Sequence, residues 1–124
     1  MEVKILYWKD IQSMVDVQYE HKLPTTKQQI KDDYAIVKEY DIPDVEVKTY
    51  GDWFEITDEL GSVVTPDTFF EIFNMDDSNP LATPEGQKFI RDSGVKHTSM
   101  SCGDIVSVDD SLYVCIDVGW RKIN

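Results

Sequence analysis

The sequence predicts an α+β fold: one domain, 1–124, with a mainly antiparallel sheet and two to three helices packed on it. Three observations lead there. Short alternating apolar stretches bounded by turn residues open and close the chain. Two Thr-Pro-acid triplets mark helix starts between them. No repeat, low-complexity tract or linker divides the 124 residues, a length suited to one core. An N-terminal part, 1–62, precedes a second part, 63–124.

The elements follow in order. Val3, Ile5 and Tyr7 alternate with Lys4 and Leu6 and lead into Trp8, predicting a first strand. Met14 to Glu20 alternates again, with Val15, Val17 and Tyr19 on one face, and reads as a second strand after a turn over Lys9–Ser13. Pro24-Thr25-Thr26 starts a helix on which Ile30, Tyr34, Val37 and Tyr40 recur at helical spacing. Pro43 stops it, since proline disfavours helical geometry in the residue before it. Val45, Val47 and Thr49 form a strand, Gly51-Asp52 a turn, and Trp53–Thr57 a strand pairing back.

In the second part, Thr65-Pro66-Asp67 caps a helix bearing Phe69, Phe70, Ile72 and Phe73. Asn79-Pro80 breaks the chain. Thr83-Pro84-Glu85 then starts a helix with Phe89 and Ile90 that Gly94 closes. A two-residue turn at Asp109-Asp110 pairs Val108 with Ser111, Ile105 with Val114 and Asp104 with Cys115. In that register Ile105, Leu112, Val114, Ile116 and Val118 share a face, read as the core face. Cys102, Asp104, Val106, Tyr113, Cys115 and Asp117 share the other. A longer loop with shifted pairing is the alternative, because Asp-Asp is a poorer turn than Asn-Gly.

Composition narrows function. An apolar fraction of 41% with 14 aromatics (five Phe, six Tyr, three Trp) can build a core. Twelve basic residues against 24 acidic leave a net charge of −12. Phosphate backbones and anionic lipid repel such a chain, so neither nucleic acid nor a membrane surface is an expected direct partner. With no signal-peptide pattern and two cysteines, too few for a disulfide framework, the expectation is a soluble cytoplasmic protein.

The stretch from Thr65 onward resembles the YodL-like domain, a family of bacteria, their phages and other mobile elements. The matching residues are Phe70-Glu71-Ile72-Phe73-Asn74, then His97-Thr98-Ser99-Met100-Ser101-Cys102-Gly103-Asp104-Ile105-Val106, Tyr113, Asp117 and Val118-Gly119-Trp120-Arg121-Lys122-Ile123. About half the chain is covered. The segment Met75–Lys96 is longer and more helical than the family's usual connector. The resemblance implies a phage or mobile-element context in a bacterial cytoplasm and carries over no catalytic residue.

Among candidate sites, Ser99–Asp104 has the most chemical variety. A nucleophilic Cys102 needs a base to make thiolate, and His97 and Asp104 are near in sequence. The simpler reading is a turn into a strand, its serines and aspartate bonding local backbone. Cys102, Cys115, His21 and His97 lack zinc-ligand spacing, and the acid pairs lack a calcium-loop pattern. No metal or cofactor is expected.

The charge distribution points further. No basic residue lies between Lys48 and Lys88, a span holding nine acids among aromatics. The expected function is therefore that of a small, non-catalytic accessory protein. It binds a host protein with a basic surface, such as a nuclease, polymerase or defence protein, through Asp52, Trp53, Phe54, Glu55, Asp58, Glu59, Asp76 and Asp77. One alternative is a cysteine enzyme built on Cys102, His97 and Asp104. Another is a homo-oligomerising module with exposed apolar strands at Ile5–Trp8 or Trp120–Ile123.

Overall fold

In the computed structural model, which describes residues 1–19, 22–24 and 26–123, the chain is a single α+β arrangement of two antiparallel sheets and four helices. The strands are β1 (Glu2–Trp8), β2 (Tyr34–Asp41), β3 (Glu46–Tyr50), β4 (Trp53–Thr57), β5 (Val63–Val64), β6 (Ile105–Val108), β7 (Ser111–Ile116) and β8 (Gly119–Ile123). The helices are α1 (Ile11–Tyr19), α2 (Lys27–Asp33), α3 (Pro66–Ile72) and α4 (Pro84–Ser93), with a 3-10 turn at Pro80–Ala82.

The five-stranded sheet has the order β2-β1-β6-β7-β8, so the first strand sits between one strand of its own half and one from the far end of the chain. Alternation along β1 then serves two cores. Val3, Ile5 and Tyr7 join Val106, Tyr113 and Cys115 in the larger one, roofed by Phe54, Phe69, Phe73 and Ile90. Leu6 and Trp8 join Ile105, Val114 and Ile123 in a smaller one, closed by Ile30, Tyr34 and Met14. Both faces being covered, β1 reads as a nearly continuous apolar run.

The tail hairpin keeps the expected register, with Val108 opposite Ser111 and Ile105 opposite Val114. Asp109 and Asp110 both take positive φ (46° and 66°), as a primed two-residue turn requires. The face assignment is corrected. Ile105 and Val114 face the smaller core, whereas the larger lies on the face of Val106, Tyr113 and Cys115. Val118 is an exposed turn residue.

Two elements differ from expectation. The segment read as a second strand is α1, for which Asp10 accepts from the Gln12 and Ser13 N–H groups through its side chain and carbonyl. Val17 is buried and Met14, three residues earlier, packs beneath the sheet, while Tyr19 is exposed; Glu20 lies outside the described residues. The alternation of Val15, Val17 and Tyr19 competed with an i, i+3 pattern that tertiary contact chose. The second difference is the helix after Pro24. It is capped by Thr26, whose side chain accepts from Gln29 N, and ends at Asp33; Thr25 lies outside the described residues. Tyr34–Asp41 is β2. A register shift opposite Ile5/Leu6 leaves Val37 without a facing residue, so the three-residue spacing of Tyr34, Val37 and Tyr40 is that of a bulged strand.

The remaining expectations hold: α3 and α4 start at Pro66 and Pro84 behind threonine caps, and Gly94 closes α4 in the left-handed region. β5 and β8 complete the sheets. The second sheet, β3-β4-β5, is joined to the first through Asp52, whose Oδ1 accepts the Lys122 N–H at 2.9 Å while Oδ2 lies 3.6 Å from the Arg121 Nε. That carboxylate occupies an outward N–H of β8, which would otherwise be an open edge. The strands expected to expose apolar side chains do not: Ile5–Trp8 is central and buried, and Trp120 and Ile123 are core residues.

Val114 is fully buried, and Arg121, opposite it in the register, is half-exposed beside Asp52, so Val114→Asp places a charge or a forced neutral acid in the smaller core. Thermal melts should show a loss of at least ~4 kcal/mol, at the far end of single-substitution effects. A variant melting like the parent would overturn the described packing.

Candidate functional site

The stretch with most chemical possibility, His97–Asp104, is a loop tied to three other elements. At its centre the Asp104 carboxylate is fully buried. Oδ1 accepts the Trp8 N–H at 3.0 Å, and Oδ2 accepts the Ser101 N–H at 2.8 Å and the Ser101 hydroxyl at 3.3 Å. His97 Nε2 lies 3.0 and 2.8 Å from the two oxygens, which places its proton on Nε2. The imidazole lies between Trp8 and Tyr7, near-parallel to both at centroid distances of 3.9 and 4.5 Å. Its Nδ1 is buried and has no hydrogen-bond partner among the described residues.

Around this centre, aromatic and amide donors hold the loop's carbonyls. Tyr7 donates to Thr98 O, Tyr34 to Gly103 O at 2.7 Å, and Trp8 Nε1 to Ser101 Oγ and Cys102 O. Asn74 reaches Met100 O, Asn79 reaches Thr98 O, and Gln87 reaches the Thr98 hydroxyl. Gly103 has φ +95°, and a Cβ there would sit 3.2 Å from Trp8 Cδ1 and 3.3 Å from Met14 Cα. In the sequence Tyr34 reads only as a residue of a helix face and Asn79 only as part of a chain break, and nothing distinguishes Gln87 from an ordinary polar residue. Asn74 and the serines lay within the family-like motif.

The triad types do come together, but not as a nucleophile and its base. Burial, and then the neighbouring Asp117 carboxylate, push the Cys102 thiol up to about 11. Its Sγ is 3.7 Å from Asp117 Oδ1. The His97 nitrogen that bears the proton is spent on Asp104. A thiolate is disfavoured in this setting. Cys102 and Cys115 are both free thiols. Among the described residues, no group of three or more His, Cys, Asp and Glu side chains could hold a metal ion; His21 lies outside them. Beside Asp117 a cavity of about 320 Å³ opens between Val17, Leu23, Ile116, Val118 and Arg121.

The eight acidic and aromatic candidates divide. Phe54 is fully buried, edge-on to Tyr113 at 4.9 Å, so it is a core residue and not a contact residue. Alternation explains it: Phe54 and Ile56 are buried, and Trp53, Glu55 and Thr57 on the other face are partly buried, Trp53 also packing against the larger core. In the β3–β4 register Tyr50 lies opposite Trp53, Lys48 opposite Glu55 and Glu46 opposite Thr57, so these share the outer face. Asp52 joins the two sheets, and Asp58 accepts from the Leu60 and Ser62 N–H groups in its turn, while Glu59 is exposed. Asp76 and Asp77 are exposed, but they follow α3, which packs through Phe69 against Phe54 on the opposite face. They do not share a surface with Trp53 and Glu55.

No family model matches the chain, and no solved structure does. One protein does match: an uncharacterized protein of Acanthamoeba polyphaga mimivirus, R785, is 38% identical over 79 residues, which span 62% of this chain and 71% of the viral protein. The chain belongs to the R785 family. The relationship extends to a viral protein, and R785 brings no activity with it. Among the described residues, no helix in this R785-family chain is long and apolar enough to cross a membrane.

The Asp104 centre has a pH signature with a definite sign. Burial raises its carboxyl to about 6 against the pull of His97, Ser101 and Trp8 toward the charged form. The folded state then holds a proton that the unfolded chain, with an ordinary carboxyl near 4, has released. Between about pH 4 and 6 the folded state binds more protons, so this group's contribution falls as pH rises and levels off above. In urea unfolding, the stability of the parent minus that of Asp104→Asn should fall by roughly 1–3 kcal/mol across that window. A difference that grows with pH would mean that the hydrogen bonds outweigh burial.

Proposed function

We propose that the chain is a non-catalytic accessory protein of a virus or mobile element that acts by binding a host protein with a basic surface. The observation that carries this reading is the outer face of β3-β4-β5. There Tyr50 and the half-buried Trp53 stand as a cross-strand pair beside Glu55 and Glu46, with the exposed Glu59 in the following turn. Lys48 lies opposite Glu55 in the next pair, so this aromatic pair is flanked by three acids and one base, an excess that suits a cationic partner, which the charges steer and the rings hold. The viral relative and the YodL-like resemblance of the second half both support a mobile-element setting. The raised Cys102 thiol supports binding over cysteine chemistry.

Affinity capture from host lysate at low salt, with release at high salt, should isolate the partner, because exposed charges are screened. Glu55→Gln/Glu59→Gln should then weaken binding by at least about fivefold, or ~1 kcal/mol. Asp32→Asn/Asp92→Asn removes the same charge from α2 and α4 and should leave affinity nearly unchanged. Both variants should melt near the parent. Equal losses in the two would reduce the effect to net charge and sink the docking face.

A further inference from the structure

β3 is an edge strand exposed along its whole length. Its hydrogen-bond phase is set by its neighbour. Asp58 N donates to Ser62 O, so the even residues of β4 turn toward β5 and the odd ones, Trp53, Glu55 and Thr57, toward β3. These bond with Tyr50, Lys48 and Glu46. The N–H and C=O groups of Val47 and Thr49, and of Val45 before them, therefore point away from the sheet, and among the described residues nothing pairs with them. Among the described residues no proline or bulge interrupts β3, in contrast to β8, where Asp52 takes one outward N–H.

Charge decides what fits there. A second copy related by a two-fold axis must pair same-face residues, so the in-phase choices are few. Centring on Glu46 or on Lys48 sets like charges opposite each other. Centring on Val47 sets Val47 against itself, Val45 against Thr49 of the second copy, and Glu46 against its Lys48, twice by symmetry. Lys48 then lies between Glu55 of its own chain and Glu46 of the other.

The geometry points to β3 as a homodimerisation edge: two copies pair antiparallel about Val47, closed by two reciprocal Glu46–Lys48 pairs. The two three-stranded sheets become one six-stranded sheet, with about six new backbone hydrogen bonds. The edge shares Glu46 with the proposed host-binding face, and pairing there would place two such faces on one sheet.

Sedimentation equilibrium should show a monomer–dimer equilibrium. Thr49→Pro removes an outward N–H without touching the ladder to β4, so it should leave the melting temperature near the parent's and abolish the dimer. Glu46→Lys and Lys48→Glu should each weaken self-association by at least about tenfold. Mixed together, they should restore a heterodimer, because each supplies the charge the other lacks. A chain monomeric up to about 1 mM, a dimer indifferent to Thr49→Pro, or single variants that do not complement when mixed would overturn the proposal.

Discussion

A carboxylate without access to water organises this molecule. Asp104 sits at the mouth of the tail hairpin and accepts the Trp8 N–H at the end of the first strand, so it links residues 96 positions apart in sequence. Placing a charge there is costly unless hydrogen bonds surround it. Donors from Trp8, Ser101 and His97 do so. Because Trp8 and Tyr7 enclose the imidazole, the end of β1, the loop and the start of β6 form one polar knot between the two cores. Removing any one donor leaves the others facing an under-satisfied buried acid, and such networks are strongly non-additive.

That knot also holds the residue types of a cysteine triad in an arrangement unlike the one nucleophilic chemistry needs. Nucleophilic catalysis needs a lowered thiol pKa and a base aimed at the sulfur. Here the base is turned to the acid, and the thiol's own burial and then Asp117 both oppose a thiolate at Cys102. The proposed contact surface lies elsewhere, on the small sheet beyond Asp52. A five-stranded sheet buried on both faces, with a smaller three-stranded sheet at its side, is the architecture on which the binding reading rests.

Much of the fold was legible from local chemistry. The Thr-Pro-acid starts of α3 and α4, the Gly51-Asp52 hairpin and the register of the Asp109-Asp110 hairpin each follow from a few neighbouring residues whose backbone preferences agree. The errors arose where two periods coexist. Met14 and Val17 fit a helix as well as Val15, Val17 and Tyr19 fit a strand, and a bulge at Val37 gave β2 a three-residue rhythm. The candidate site divided in the same way. Trp53 and Glu55 share an outer face because strand alternation is local, and that alternation should also have withdrawn Phe54. The separation of Asp76 and Asp77 from them depends on which face α3 covers, and no local pattern carries that.

By itself, then, the sequence determined the α+β class, the caps, the turns and the strong negative charge, all properties of residues within a few positions of one another. Tertiary structure alone decided that β1 lies between β2 and β6, that both faces of the sheet are covered, and that Asp104, His97, Trp8 and Tyr34 meet. The reason is physical. A side chain's preference for burial is written in its chemistry, but which other buried group completes its hydrogen bonds depends on contacts scores of residues away. Those are settled only when the whole core closes at once.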